Sequence, residues 1–90
     1  MREAAFPKQF DRDVRLLEKR GKDTAKLRRL VSLLLAGEQL PPEYKDHPLK
    51  GRFVSFRDAH LEPDWVVIYK VVGDLVRFER TGRHSDVFGE

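Results

Sequence analysis

The strongest constraint on the fold is the stretch from residue 65 to residue 81, which is typical of a β-hairpin. Residues 65–72 are rich in β-branched and aromatic side chains, and residues 75–81 alternate in polarity. Gly73-Asp74 between them suits a two-residue hairpin turn. Residues 52–59, with Phe53, Val54 and Phe56, precede this pair after a short turn. We therefore predict an antiparallel meander of three strands over residues 52–81.

The first third of the chain has helical periodicity instead. Phe10, Val14 and Leu17 recur at helical spacing over residues 8–20, and Gly21 is a natural stop. Asp23 or Thr24 can cap a second helix, which ends at Gly37. Its apolar stripe consists of Leu27, Leu30, Val31 and Leu34. Because few residues join the two helices, they should form an antiparallel hairpin.

These elements predict an α+β fold, a two-helix hairpin packed on an antiparallel β-sheet, as one domain over residues 1–90. Residues 4–6 favour a short first strand. Leu40-Pro41-Pro42 begins a loop that runs to Gly51. Residues 83–88 form a tail that can make one helical turn.

Composition excludes several classes of function. The chain has no cysteine, which rules out disulfides, thiolate metal sites and a thiol nucleophile. No apolar run is long enough to span a membrane, and the first residues lack the apolar core of a signal peptide. We expect a cytoplasmic protein with no membrane partner.

Charge is unevenly distributed along the sequence. Residues 1–36 carry a net charge of +5 and residues 37–90 a net charge of −2. Such a basic half favours a polyanion partner, since lysine and arginine neutralise phosphates. The alternative is that these charges only solvate the two helices. The outer helical faces should present Lys8, Arg12, Arg15, Lys19, Lys26 and Arg29.

The predicted topology brings several polar residues to one end of the sheet. In a meander the end of the first strand, the start of the second and the end of the third are adjacent. His60, Asp64 and the segment from Arg80 to His84 should therefore converge, and His47 can join them only if its loop folds back. Histidine can accept or donate a proton near neutral pH, and arginine can stabilise the charge of a reacting phosphate. This set suits metal-free cleavage of RNA through attack by the ribose 2′-hydroxyl.

Each of these residues also has a purely structural interpretation. His60 and Asp64 suit turns, His84 can cap the tail, and a tryptophan that opens a strand is usually part of the core. Three histidines and an aspartate also invite a zinc site. No histidine pair has the spacing of known zinc motifs, however, so we predict no metal and no cofactor.

Three segments carry a resemblance to a known family. They are Tyr44-Lys45-Asp46-His47-Pro48-Leu49-Lys50-Gly51, Arg57-Asp58-Ala59-His60-Leu61-Glu62-Pro63-Asp64-Trp65 and Arg77-Phe78-Glu79-Arg80-Thr81-Gly82. With Ile68-Tyr69-Lys70, His84 and Phe88, they closely resemble the YafQ-like toxins of the RelE/ParE superfamily, which belong to type II toxin–antitoxin systems. The resemblance covers nearly the whole chain and implies the RelE-like fold.

The resemblance also implies an activity and a set of site residues. Such a toxin is a metal-independent endoribonuclease that cuts messenger RNA in the ribosomal A site. The implied site comprises His47, His60, Asp64, Trp65, Arg80, His84 and Phe88. His84 would be a general acid or base, with Asp64 or His60 as its partner in proton transfer. Arg80 would stabilise the phosphate, while Phe88 and Trp65 would position the nucleotide.

The implied partners are a cognate antitoxin, the ribosome with its RNA, and messenger RNA, with DNA contacted only through an antitoxin complex. Two other functions stay open at this point. One is a toxin of the same fold that poisons gyrase, although those relatives usually lack the histidine and aspartate cluster. The other is a plain RNA-binding or protein-binding module.

Overall fold

A computed structural model describes residues 1–89 and contains three helices and five strands. Helix α1 spans Lys8–Lys19, α2 spans Thr24–Leu35 and α3 spans His84–Phe88. The strands are β1 (Glu3–Ala5), β2 (His47–Pro48), β3 (Arg57–Glu62), β4 (Trp65–Val72) and β5 (Leu75–Gly82). Two single 3-10 turns, Pro42–Tyr44 and Gly51–Phe53, flank β2.

The five strands form one sheet in the order β1-β5-β4-β3-β2. Strands β3, β4 and β5 make the predicted antiparallel meander, and β1 adds a parallel edge next to β5. Two predictions need correction. The first strand of the meander begins at Arg57 rather than Arg52, and the predicted loop over residues 40–51 contains the edge strand β2.

The early start of that strand was predicted from its aromatic residues, but in the structure these residues belong to a loop. Gly51 and Ser55 have positive φ angles of 66° and 81°, so the chain turns back between β2 and β3 instead of extending. The amide of Leu49 donates to the carbonyl of Phe56 at 2.9 Å and closes this turn. Phe53 and Phe56 then pack onto the sheet as loop residues.

The sheet is covered on both faces, which explains the continuous apolar run of β4. The helical hairpin packs Phe10, Leu17, Leu27, Leu30 and Leu34 on one face, as predicted from their spacing. The opposite face carries Val66 and Ile68 under Val87 of α3 and the aromatic residues of the β2–β3 loop. Residues 65–69 are all buried because neighbouring side chains of β4 point to opposite covered faces.

A β-bulge in β5 decides where Arg80 points. Tyr69 pairs with Phe78, but the preceding Ile68 pairs with Arg80, so Glu79 is an extra residue. Strict alternation would put Arg80 on the same face as the core residue Phe78. The bulge instead gives Arg80 the face of Ile68, whose partner on the other side is Asp58.

Candidate active site

Four rings form a row along the end of the sheet that sequence topology predicted. The ring centroids of His47 and His60 are 6.1 Å apart, those of His60 and His84 5.7 Å, and those of His84 and Phe88 5.6 Å. His47 comes from β2, His60 from β3, and His84 and Phe88 from α3. The convergence of His60, Asp64 and His84 is therefore present, and His47 joins it.

His47 reaches the row because the preceding residue is anchored. The Asp46 carboxylate accepts hydrogen bonds from Arg57 at 3.1 to 3.2 Å and from the Tyr69 hydroxyl at 2.5 Å. Burial, followed by this contact with Asp46, raises the pKa of Tyr69 well above its usual range, so the hydroxyl stays protonated and donates. These bonds tie the loop to β3 and β4, and β2 pairs with β3 as a result.

His84 and Asp64 make the most direct catalytic pair. Nδ1 of His84 lies 3.1 Å from Oδ1 of Asp64, and the backbone amide of His84 donates to the same oxygen at 3.2 Å. Hydrogen bonds from the His84 side chain and amide lower the pKa of Asp64. Both side chains are about half exposed or more, so a macromolecular substrate can reach them.

The hydrogen-bonding groups at the centre of the row are less well satisfied. Asp58 is 2% exposed, and its Oδ1 lies 3.0 Å from Nδ1 of His47. That contact is an ion pair by distance only, because the same Nδ1 is hydrogen-bonded to the Lys45 carbonyl at 3.0 Å. Among residues 1–89, Oδ1 of Asp58 and Nδ1 of His60 have no hydrogen-bond partner. Buried polar groups without a partner are rare in native proteins, and a role in binding or catalysis is one physical reason for them.

The same groups could hold a metal ion. Asp58, His60 and His84 each offer one ligand atom, and these atoms lie within 4.8 Å of one another. Sequence spacing did not indicate this group, because its members come from β3 and α3 rather than from one helix. A cation bound there would occupy imidazole nitrogens that acid–base chemistry needs.

Arg80 is held by a residue that the sequence analysis missed. Asp13 of α1 accepts from Nε of Arg80 at 2.7 Å, from its Nη2 at 3.2 Å and from the amide of Thr81 at 3.2 Å. Asp13 is only 7% exposed. The available signal was its position, since it lies on the apolar stripe of Phe10 and Leu17, where a carboxylate needs a partner. Gln9 donates a further hydrogen bond to Asp13 at 3.0 Å.

The predicted nucleotide contact of Trp65 is wrong. Its side chain is 1% exposed within the core under the helices, so its ring has no free face for a base. Nε1 of Trp65 donates to Oγ1 of Thr81 at 2.9 Å. Trp65 thus fixes the residue after Arg80 from inside the core. Phe88 is half-buried against Phe53 and lies beside His84, where part of its ring stays accessible.

Gly82 allows α3 to fold back onto the sheet. Its φ is 151°, and a Cβ there would lie 3.5 Å from Val87 and 3.6 Å from Asp86. These are ordinary van der Waals distances, so it is the backbone conformation rather than a lack of space that favours glycine here. The turn at Gly82 leads into α3, where His84 lies next to His60 of β3 and Asp64.

The six basic residues predicted for the helical face are all exposed: Lys8, Arg12, Arg15, Lys19, Lys26 and Arg29. They do not form one surface, however. Lys26 and Arg29 border a cleft that also contacts His60. Lys26 is paired with Glu62 at 2.8 Å, and Lys22 with the same carboxylate at 2.7 Å.

Within the described residues 1–89, none of the helices has both the length and the apolar character that crossing a membrane requires.

We expect Asp58→Asn to raise the melting temperature at neutral pH. Burial raises the pKa of Asp58, so ionising it costs more in the folded than in the unfolded chain. The resulting loss of stability begins as pH rises past the unfolded value near 3.8 and is complete above the raised folded pKa. Thermal unfolding between pH 3 and pH 7 should show a gap between variant and parent that grows with pH.

Asp74→Asn is the matched control, because Asp74 is exposed in a turn that also suits asparagine. It should follow the parent at each pH. A melting temperature of Asp58→Asn below that of the parent at pH 7 would mean that the histidine contacts outweigh the burial of the charge.

An α-hairpin on a mixed sheet with a histidine and aspartate row at one end defines a small RelE-like toxin domain. The family model for bacterial toxins of type II toxin–antitoxin systems, YafQ, matches residues 2–89. This chain therefore belongs to the YafQ family of toxins.

Individual relatives agree over almost the full length. The mRNA interferase toxin YafQ of Escherichia coli K12 is 49% identical over 98% of this chain and 97% of its own. The E. coli DinJ–YafQ complex has a TM-score of 0.91 at 49% identity, covering 99% of this chain and 100% of that chain. A metal-bound toxin from Helicobacter pylori has a TM-score of 0.91 at 38% identity, covering 98% and 100%. These structures confirm the predicted fold.

Proposed function

We propose that this protein is the toxin of a type II toxin–antitoxin pair and an endoribonuclease that cleaves messenger RNA in the ribosomal A site. The observation that carries the chemistry is the exposed His84–Asp64 pair, at 3.1 Å, in a row with His60 and His47. The family relationship supports the activity, because the E. coli relative is named as an mRNA interferase. The proposal puts its action in the bacterial cytoplasm, where translation occurs.

In the proposed reaction the ribose 2′-oxygen bonds to the adjacent phosphorus and the bond from phosphorus to the 5′-oxygen breaks. A base takes the proton of the 2′-hydroxyl, and an acid supplies one to the leaving 5′-oxygen. Asp64 engages Nδ1 of His84 and orients the ring, which leaves Nε2 to carry a proton. His60, 5.7 Å away between ring centroids, is the second candidate for proton transfer.

Arg80 would stabilise the charge that develops on the phosphate. Its Nε and Nη2 are committed to Asp13, and Nη2 also approaches the Asp86 carbonyl at 3.4 Å. Its Nη1 makes no hydrogen bond within residues 1–89 and is the group that can meet the substrate. Phe88 beside His84 would stack on an unpaired base, a contact that tolerates any sequence.

The proposed partners are an antitoxin, the ribosome and messenger RNA. The outer stripe of α1, formed by Lys8, Arg12, Arg15 and Lys19, is exposed and would dock on ribosomal RNA through phosphate contacts. A largely acidic or amphipathic antitoxin segment would neutralise the toxin, since opposite charge speeds association. DNA would be contacted only through the antitoxin complex.

The products of cleavage test this proposal. Expression in a bacterium, followed by mapping of RNA 5′ ends, should show cuts within translated messages and in register with codons. The upstream fragments should end in a 2′,3′-cyclic phosphate or a 3′-phosphate, because the 2′-oxygen attacks and no metal-bound water is used. An upstream 3′-hydroxyl would exclude this chemistry. Growth arrest with intact messages and damaged DNA would favour the gyrase-directed alternative.

A further inference from the structure

A second site opens beside the row of rings, on the flank of α2. It is a cleft of about 520 Å³ between α2, the 3-10 turn before β2 and the end of β3. This volume is in the range of ligand sites, about 300 to 1,000 Å³. Its wall includes Lys26, Arg29, Glu43, Lys45, His60 and Glu62.

The cleft is continuous with the candidate active site at two positions. His60 belongs to both, since it lines the cleft and lies between His47 and His84 in the row of rings. Lys45 also lines the cleft, and its carbonyl is hydrogen-bonded to His47. An RNA strand whose reacting phosphate lies at His84 has to continue beyond the active site, and the cleft begins at His60, the ring next to His84.

Charge within the cleft favours an anionic ligand. Glu62 is neutralised by two lysines, Lys22 and Lys26, at 2.7 and 2.8 Å. Across residues 1–89, Arg29 and Lys45 have no carboxylate oxygen within 4 Å, so their charges are not balanced locally. Glu43 is the only other acidic group in the wall. Cations thus outnumber unpaired carboxylates around the cavity.

We infer that this cleft binds the sugar-phosphate backbone of the RNA strand next to the cleaved phosphate, with Arg29 and Lys45 as the phosphate ligands. This inference rests on the proposed function for the identity of the strand. It gives Arg29 a different role from the α1 stripe. Arg29 would contact the substrate strand, whereas the ribosome would be contacted by the stripe, which consists of Lys8, Arg12, Arg15 and Lys19. Arg28, on the opposite flank of α2, lines a different groove and lies outside the cleft.

The test uses the whole protein and a single-stranded RNA 12-mer that is 2′-O-methylated throughout, which cannot be cleaved by attack of the 2′-oxygen. Binding is measured by fluorescence anisotropy from 50 to 200 mM salt, without ribosomes. The variants are Arg29→Gln with Lys45→Gln as a pair, and Arg28→Gln as a control that removes one positive charge next to Arg29 on the same helix. Circular dichroism and thermal unfolding confirm that each variant is folded.

The paired variant should lose two phosphate contacts. The slope of log affinity against log salt falls by about 0.7 per contact for a single strand, or about 1.4 in total. The loss of affinity between 50 and 200 mM salt should therefore be about sevenfold smaller than in the parent. Arg28→Gln should match the parent. A variant with glutamine at Lys8, Arg12, Arg15 and Lys19 should weaken ribosome association while its affinity for the oligonucleotide changes less than that of the paired variant.

An unchanged salt slope in the folded paired variant would overturn the inference, as would an equal effect of Arg28→Gln. So would a paired variant that binds RNA normally but binds the antitoxin weakly, because the cleft would then be a protein site. A parallel assay of the cleavage of translated messages by the parent distinguishes a failure of the cleft inference from a failure of the proposed function. If the parent cleaves and the paired variant binds as the parent does, the cleft inference fails and the proposed function stands.

Discussion

Expression of His84→Ala without an antitoxin should no longer arrest growth. His84 is the ring that Asp64 orients, and the loss of a positioned acid or base typically lowers a rate by about 10² to 10⁴-fold. Asp64→Ala should act in the same direction with a smaller effect, because the imidazole remains but loses its orienting partner. Both effects are measured as cleavage of a translated message in a reconstituted system and as growth after induction.

Ser85→Ala is the control, since Ser85 is exposed and adjacent to His84 in α3. It should retain toxicity. Each variant must unfold at a temperature close to that of the parent, because both members of the pair lie on the surface. A folded double variant, His84→Ala with Asp64→Ala, that remains as toxic as the parent would remove these residues from the mechanism.

The largest expected loss of stability follows from Asp13→Ala. This carboxylate accepts from Nε and Nη2 of Arg80, from the amide of Thr81 and from Gln9. Without it the Thr81 amide is buried with no acceptor and Arg80 keeps a partly buried charge. The expected cost is about 2 to 4 kcal/mol. In a domain of this size each kcal/mol lowers the melting temperature by about 4 to 8 °C.

Asp11→Ala, two residues earlier in the same helix, is the control because Asp11 is exposed. Its effect should be about 1 kcal/mol or less. Asp13→Asn keeps the shape of the side chain and one acceptor oxygen, and should fall between parent and alanine in stability. A melting temperature of Asp13→Ala equal to that of Asp11→Ala would show that the bonds to Arg80 and Thr81 contribute little net stability.

The elements of this fold follow closely from local sequence. The helical stripes of α1 and α2, the apolar run of β4 and the Gly73-Asp74 turn all appear where periodicity predicted them. Each depends on residues close in sequence, because the spacing of apolar side chains indicates whether an element is covered on one face or on both. The boundary error at Arg52 has a related cause. Phe53 and Phe56 could be buried either in a strand or in a packed loop. Only the positive φ angle of Ser55 distinguishes the loop from the strand.

The candidate site was predicted in part. Meander topology alone brings His60, Asp64 and His84 together, and the structure places all three at one end of the sheet. The position of His47 was not predictable, because it depends on Asp46 being held by Arg57 and Tyr69, 11 and 23 residues away. The nucleotide contact that the resemblance implied for Trp65 was wrong: Trp65 opens β4, and a tryptophan in that position is usually part of the core, as it is here.

The amino-acid sequence by itself determined the helical hairpin, the strands β4 and β5, the α+β class, the basic first third and the group of residues able to move protons. The tertiary structure alone decided which of them meet. Asp13 and Arg80 are 67 residues apart, and their pair exists because α1 packs on β5. Arg80 shares a face with Asp58 because one extra residue, Glu79, reverses the alternation of β5. Side-chain period is a local property, whereas register, bulges and burial depend on partners that the chain reaches only after folding.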